Sequence, residues 1–113
     1  MKIETQQKSD VVIVRIEGRF DAFGVPEAEQ HFQAAIDQQP RHLVINLGGV
    51  NFIDSTALAA LVRALKRVRE HQSDLSLCNL QQAVQIIFEL TRLDKAFSLY
   101  ADESAALTAL GVA

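Results

Sequence analysis

Apolar residues recur along this chain with two different periods, and the changes of period divide it into short elements. Ile3 begins an edge strand, and Lys8-Ser9-Asp10 reads as a turn. The run Val11-Val12-Ile13-Val14-Arg15-Ile16-Glu17 is β-branched and alternates towards its end, which predicts a strand stopping at Gly18. Two strands about a tight turn make a hairpin. Asp21-Ala22-Phe23-Gly24 is a loop, and Pro26 suits the first turn of a helix. Val25, Ala28, Phe32, Ala35 and Ile36 follow at helical spacing, with Glu27 and Glu29 near the favourable N-terminus, and Pro40 ends the segment. The run His42-Leu43-Val44-Ile45-Asn46-Leu47 predicts a strand buried on both faces, bounded by Gly48-Gly49 as a turn.

A second helix starts near Ser55, with Leu58, Leu61, Val62, Leu65 and Val68 as its apolar stripe and Arg63, Lys66, Arg67 and Arg69 elsewhere on it. Residues 74–78 form the next strand. A helix follows from 81 to about 92, with Val84, Ile87, Phe88 and Thr91 on one face, and then a short strand over 96–100. Asp102 caps a last helix bearing Ala106, Leu107 and Leu110. The order ββαβαβαβα predicts an α/β fold. Its sheet is largely parallel, made mixed by the opening hairpin, and helices pack against it.

Composition narrows the function classes. A chain of 113 residues, 49% hydrophobic, fits a single domain over 1–113 that buries a core without disulfide or metal. No apolar run approaches the ~18–20 residues of a membrane span. The opening Met1-Lys2-Ile3-Glu4-Thr5-Gln6-Gln7-Lys8 lacks a signal-peptide core, so the expected address is cytoplasmic, without membrane insertion. The single cysteine, Cys78, lies in an apolar stretch and reads as a buried structural thiol. A net charge of −3, seven aromatics and no tryptophan argue against a nucleic-acid partner.

Catalytic chemistry is not visible. His31, His42 and His71 are not spaced with cysteines or carboxylates as metal ligands, so they read as structural or surface groups and no metal or cofactor is expected. There is no Gly-x-Ser-x-Gly elbow and no glycine-rich phosphate loop with a lysine. A phosphoacceptor aspartate at Asp54 needs an acidic pair after the first strand, which Glu17-Gly18-Arg19-Phe20-Asp21 does not cleanly supply, and a lysine after the fifth, where Tyr100-Ala101-Asp102 stands.

One segment stands out: Asn51-Phe52-Ile53-Asp54-Ser55-Thr56-Ala57-Leu58, an acid and two hydroxyls where a loop becomes a helix. Two readings fit. Asp54 or Ser55 caps the helix, satisfying orphan N–H groups for about 1 kcal/mol. Alternatively a phosphate on Ser55 is stabilised by those N–H groups and the helix dipole, and adds about −1.5 to −2 charges beside Asp54.

Ile45-Asn46-Leu47 followed by Val50-Asn51-Phe52-Ile53-Asp54-Ser55-Thr56-Ala57-Leu58 resembles the signature of STAS domains, and within them the stand-alone bacterial anti-sigma factor antagonists. Gly18-Arg19-Phe20-Asp21 resembles that family's G-x-[L/F]-D loop, and the stretch from Ala106 to Val112 resembles its last helix. The resemblance implies a STAS-like mixed β-sheet with helices packed against it and a protein-binding switch, not an enzyme. It implies that Ser55 is the phosphoacceptor, Thr56 a secondary hydroxyl, and Asp54 and Asp21 neighbours of the phosphosite. The unphosphorylated form would bind an anti-sigma factor serine kinase and free a sigma factor, and a metal-dependent serine phosphatase would reset it. An alternative within the family is an unphosphorylated binding subunit of an ABC-type lipid transport complex. The family's usual glycine after the hydroxyl pair is Ala57 here. Its extra methyl is expected to narrow the approach of a kinase or its nucleotide, and to stiffen the helix start by about 1 kcal/mol.

Overall fold

A computed structural model describes residues 1–112. The elements run β1 (Lys2–Lys8), β2 (Val11–Phe20), α1 (Val25–Asp37), β3 (His42–Ile53), α2 (Ser55–Glu70), β4 (Asp74–Cys78), α3 (Gln82–Leu90), a 3-10 turn (Leu93–Lys95), β5 (Ser98–Tyr100) and α4 (Glu103–Ala109). The five strands lie in sequence order across one sheet. β1 pairs antiparallel with β2 through a turn in which Ser9 has φ 58°, and β2 to β5 pair in parallel. The expected order of elements, the opening hairpin and the mixed sheet are all present.

Strand alternation divides the core between the two faces of the sheet. Val12, Val14, Leu43, Ile45, Leu75 and Leu77 belong to the large cluster that also holds the buried residues of α1, α2 and α3. Val11, Ile13, Val44 and Cys78 pack in a smaller cluster with Ala106 and Leu107 of α4. Burial on both faces is why the runs in β2 and β3 are continuously apolar. α4 is fixed by a two-pronged ion pair: Arg15 donates to both carboxylate oxygens of Glu103 at 2.7 and 2.8 Å, and Asn46 donates to Glu103 as well. On the same face His42 and Ser76 share a 2.7 Å hydrogen bond, both side chains buried.

Several boundaries differ from expectation. β2 does not stop at Gly18, and Gly48-Gly49 is not a turn. Both strands run on, to Phe20 and Ile53. Gly18 has φ 103° beside a register shift, and a Cβ on Gly49 would come within 2.9 Å of the Glu17 Cα, so glycine there lets β3 lie against β2. The buried stripe of α2 is Ala57, Ala60, Leu61, Ala64, Leu65 and Val68, while Leu58 and Val62 lie half-buried at its rim. The small alanines bring the helix close to the sheet, and the bulkier neighbours straddle the contact. α3 ends at Leu90, with Ile87 half-buried and Thr91 exposed, and β5 begins only at Ser98. Arg92 in a left-handed conformation (φ 64°) and the 3-10 turn occupy the difference.

Candidate functional site

Pairing between β3 and β4 stops at Asn46 and Cys78, but β2 and β3 stay paired to Phe20 and Ile53. The result is a two-stranded extension whose tip carries the β2–α1 loop and the start of α2, the two places where the sequence analysis finds its candidate residues.

Asp54 joins them. It sits extended (φ −110°, ψ 178°) as the N-cap of α2. Its Oδ1 accepts from the Ala57 N–H at 2.9 Å and its Oδ2 from the Ala22 N–H at 3.1 Å, while its own N–H donates to the Phe20 carbonyl at 3.3 Å. Both carboxylate oxygens are therefore occupied, one holding the helix and one the neighbouring loop. Asp21 organises that loop from within. Its Oδ1 accepts from the N–H groups of Phe23 and Gly24 at 3.1 and 3.3 Å, and its Oδ2 faces the Arg19 Nε at 3.6 Å.

Ser55 and Thr56 are the first two residues of α2 and both are exposed. Among the described residues neither hydroxyl has a hydrogen-bond partner. Capping and a free Ser55 hydroxyl are thus not rivals: Asp54 caps, and Ser55 remains available at a helix N-terminus that favours negative charge. Ala57 is fully buried in the large core cluster, so its methyl faces the core and does not stand between Ser55 and solvent. The expectation that this methyl narrows the approach to the site fails on that burial.

Three further residues lie on the same extension or its tip, and sequence reasoning does not single them out. Phe23 is 95% exposed, Phe52 is 39% exposed, and the Arg19 guanidinium stands 3.9 Å from the centre of the Phe52 ring. A shallow depression of about 340 Å³ beside them is lined by Met1, Arg19, Asp21, Phe23, Gly24 and Glu27. Strict alternation from buried Val50 would turn Phe52 inward; it is exposed because the β2–β3 register shifts between Gly18 and Arg19, which the local sequence does not signal. Large exposed aromatics beside acidic groups suit a protein-docking surface.

The remaining chemistry-bearing groups lie elsewhere. Burial pushes the Cys78 thiol up to about 12, so it stays protonated and inert. Burial also lowers the pKa of His42. His31 contacts Thr5 at 3.4 Å, and His71 ends α2. Among the described residues no three His, Cys, Asp or Glu side chains gather to hold a metal, and no helix is long and apolar enough to cross a membrane.

Comparison with known proteins gives a consistent result. The model of the STAS domain matches residues 2–106. An anti-sigma F factor antagonist of Paenibacillus polymyxa is 26% identical over 99% of this chain and 97% of its own. An anti-sigma factor antagonist of Mycobacterium paratuberculosis has a solved structure with TM-score 0.88 and 29% identity, covering 96% of this chain and 92% of that one. The phosphorylated form of the Bacillus cell fate determinant SpoIIAA has TM-score 0.72 at 17% identity, covering 93% of this chain and 96% of that one, a likeness of fold.

Proposed function

The chain belongs to the STAS domain family, and on that premise we propose that it is an anti-sigma factor antagonist controlled by phosphorylation of Ser55. In this reading the unphosphorylated protein binds a cytoplasmic anti-sigma factor that is also a serine kinase, and so releases a sigma factor. Curated relatives matched over 99% and 82% of this chain are named anti-sigma factor antagonists. The observation that carries the phosphorylation is the exposed Ser55 hydroxyl, unpartnered among the described residues, at the first position of α2 beside an Asp54 whose own oxygens are both engaged.

The chemistry is a phosphoryl transfer. The Ser55 Oγ attacks the γ-phosphorus of kinase-bound ATP, the bond to the β-phosphate oxygen breaks, ADP leaves, and the hydroxyl proton passes to a base on the kinase or to water. A metal-dependent serine phosphatase reverses the state by hydrolysis, returning the hydroxyl and inorganic phosphate. The fold tolerates the phosphate because the N–H groups and dipole of α2 favour it. The docking surface changes more sharply: about −1.5 to −2 charges join Asp21 and Asp54 beside exposed Phe23 and Phe52. A complementary partner must then desolvate an added anion, and binding weakens. Thr56, one residue further along the same turn, is a secondary acceptor.

The test is kinase treatment with ATP followed by site mapping in a mass spectrometer, on wild type, Ser55→Ala and Thr56→Ala. Phosphate is expected on Ser55 in wild type and Thr56→Ala, and is expected to be lost or much reduced in Ser55→Ala. Unmodified wild type in the presence of its active kinase refutes the switch and leaves constitutive binding.

A further inference from the structure

We propose that Arg19 reads the modification: when Ser55 carries phosphate, the Arg19 guanidinium leaves Asp21 and Phe52 and pairs with the phosphate. This rests on Ser55 being the phosphoacceptor. Arg19 lies opposite Phe52 in the β2–β3 extension. Its side chain is 63% exposed, its Nε is 3.6 Å from the Asp21 Oδ2, beyond hydrogen-bond range, and its other contact is the face of the Phe52 ring. The 3.6 Å separation from a half-buried Asp21 and the exposed cation–ring contact both hold the exposed guanidinium weakly, so the side chain is loosely tethered.

The backbone ties the segment that carries Arg19 to the residue preceding Ser55. Phe20, next to Arg19, accepts from the Asp54 N–H, and Ala22, next to Asp21, donates to the Asp54 carboxylate, one residue before Ser55. Among the described residues, Arg19 is the one basic side chain lining the depression that holds Asp21 and Glu27. The nearest arginines on α2 are engaged with α1, Arg63 with Glu29 and Arg67 with Gln33. A phosphate offers more charge than Asp21 and oxygens that the guanidinium fork engages in pairs. Asp21 can release Arg19 without loss of the loop, because its Oδ1 still holds the Phe23 and Gly24 N–H groups. Phosphorylation therefore reshapes the docking surface as well as charging it: the Phe52 ring face is uncovered and Asp21 loses its counter-ion.

The experiment places phosphoserine at position 55 during translation, in wild type, Arg19→Gln, Arg19→Lys and Lys66→Gln, and titrates the phosphate by phosphorus NMR. The pKa of its second ionisation is ordinarily about 6. Asp21, Asp54 and Glu27 raise it and the N-terminus of α2 lowers it, equally in all four proteins. Arg19→Gln is expected to raise it by about 0.5 unit or more, because a close counter-ion is lost. Arg19→Lys, which keeps the charge but not the fork, falls between. Lys66→Gln removes a charge eleven residues along α2, roughly 16 Å away, and leaves the value nearly unchanged. The Arg19 Nε–H resonance is expected to move on phosphorylation. Equal pKa values in wild type and Arg19→Gln, or equal shifts in Arg19→Gln and Lys66→Gln, overturn the proposal. Since the phosphate is installed without a kinase, neither result depends on whether a kinase modifies Ser55.

Discussion

Replacing Asp54 with alanine removes two bonds at once. The first is the helix cap, from the Ala57 N–H to Oδ1 at 2.9 Å, and such a cap is worth about 1 kcal/mol. The second, from the Ala22 N–H to Oδ2 at 3.1 Å, ties the β2–α1 loop to α2 and contributes about 1 kcal/mol. The carboxylate also faces the positive end of the α2 dipole, adding about 0.5 kcal/mol. Asp54→Ala is therefore expected to destabilise the fold by about 2–2.5 kcal/mol, the sum of these contributions. Asp54→Asn keeps one acceptor oxygen and loses the charge, so it should cost about half as much. Urea unfolding measures both, and amide exchange locates them: the Ala22 and Ala57 amides should exchange faster in Asp54→Ala, with the β4 amides little changed relative to global stability. A loss below about 0.5 kcal/mol, or Ala22 exchange unchanged from wild type, would show that Asp54 does not join loop to helix.

Other expectations follow from the core and the titratable groups. Leu61→Ala should cost ~2–5 kcal/mol because Leu61 is fully buried, whereas Val62→Ala at the rim should cost less than about 1 kcal/mol; equal losses in urea unfolding would mean the α2 face is misassigned. Burial keeps His42 neutral in the fold by depressing its pKa, while in the unfolded chain it takes up a proton near its ordinary value of about 6.5. Stability should be at its full value above that pH and fall as pH drops through it, and His42→Gln should flatten that part of the profile; a wild-type profile that is level or rising from pH 7.5 to 5.5 contradicts this. Glu103, held ionised chiefly by Arg15, contributes stability present above about pH 4.5 and lost as pH falls through its lowered pKa, a second acid limb that Glu103→Gln should remove from acid unfolding curves.

Much of this was legible from the amino-acid pattern. Runs buried on both faces and helical spacing between them were enough for the order of elements and the mixed sheet. The motif at Asp54 and Ser55 marked the start of α2 correctly. What pattern reading lost has identifiable causes. Gly18, Gly48 and Gly49 look like strand ends, but they serve close strand approach and bulges, information held in the partner strand and not in the local sequence. On α2 the eye follows Leu58 and Val62, yet closeness to the sheet selects alanines. Arg19, Phe23 and Phe52 come together only because two strands stay paired beyond their neighbours, and no spacing along the chain encodes that. Ala57 shows the reverse: its departure from the motif is plain in the sequence, but only its burial shows that its methyl leaves the hydroxyl accessible.

The central claim is that charge at Ser55 controls binding while leaving the fold intact. Titration calorimetry of wild type, Ser55→Ala and Ser55→Asp against the anti-sigma factor kinase tests it most directly, with urea unfolding of the same proteins as the control. Ser55→Ala should bind like wild type, and Ser55→Asp should unfold within a few tenths of a kcal/mol of wild type yet bind tenfold or more weakly, about 1.4 kcal/mol or greater. Ser55→Asp binding as tightly as wild type would contradict the account.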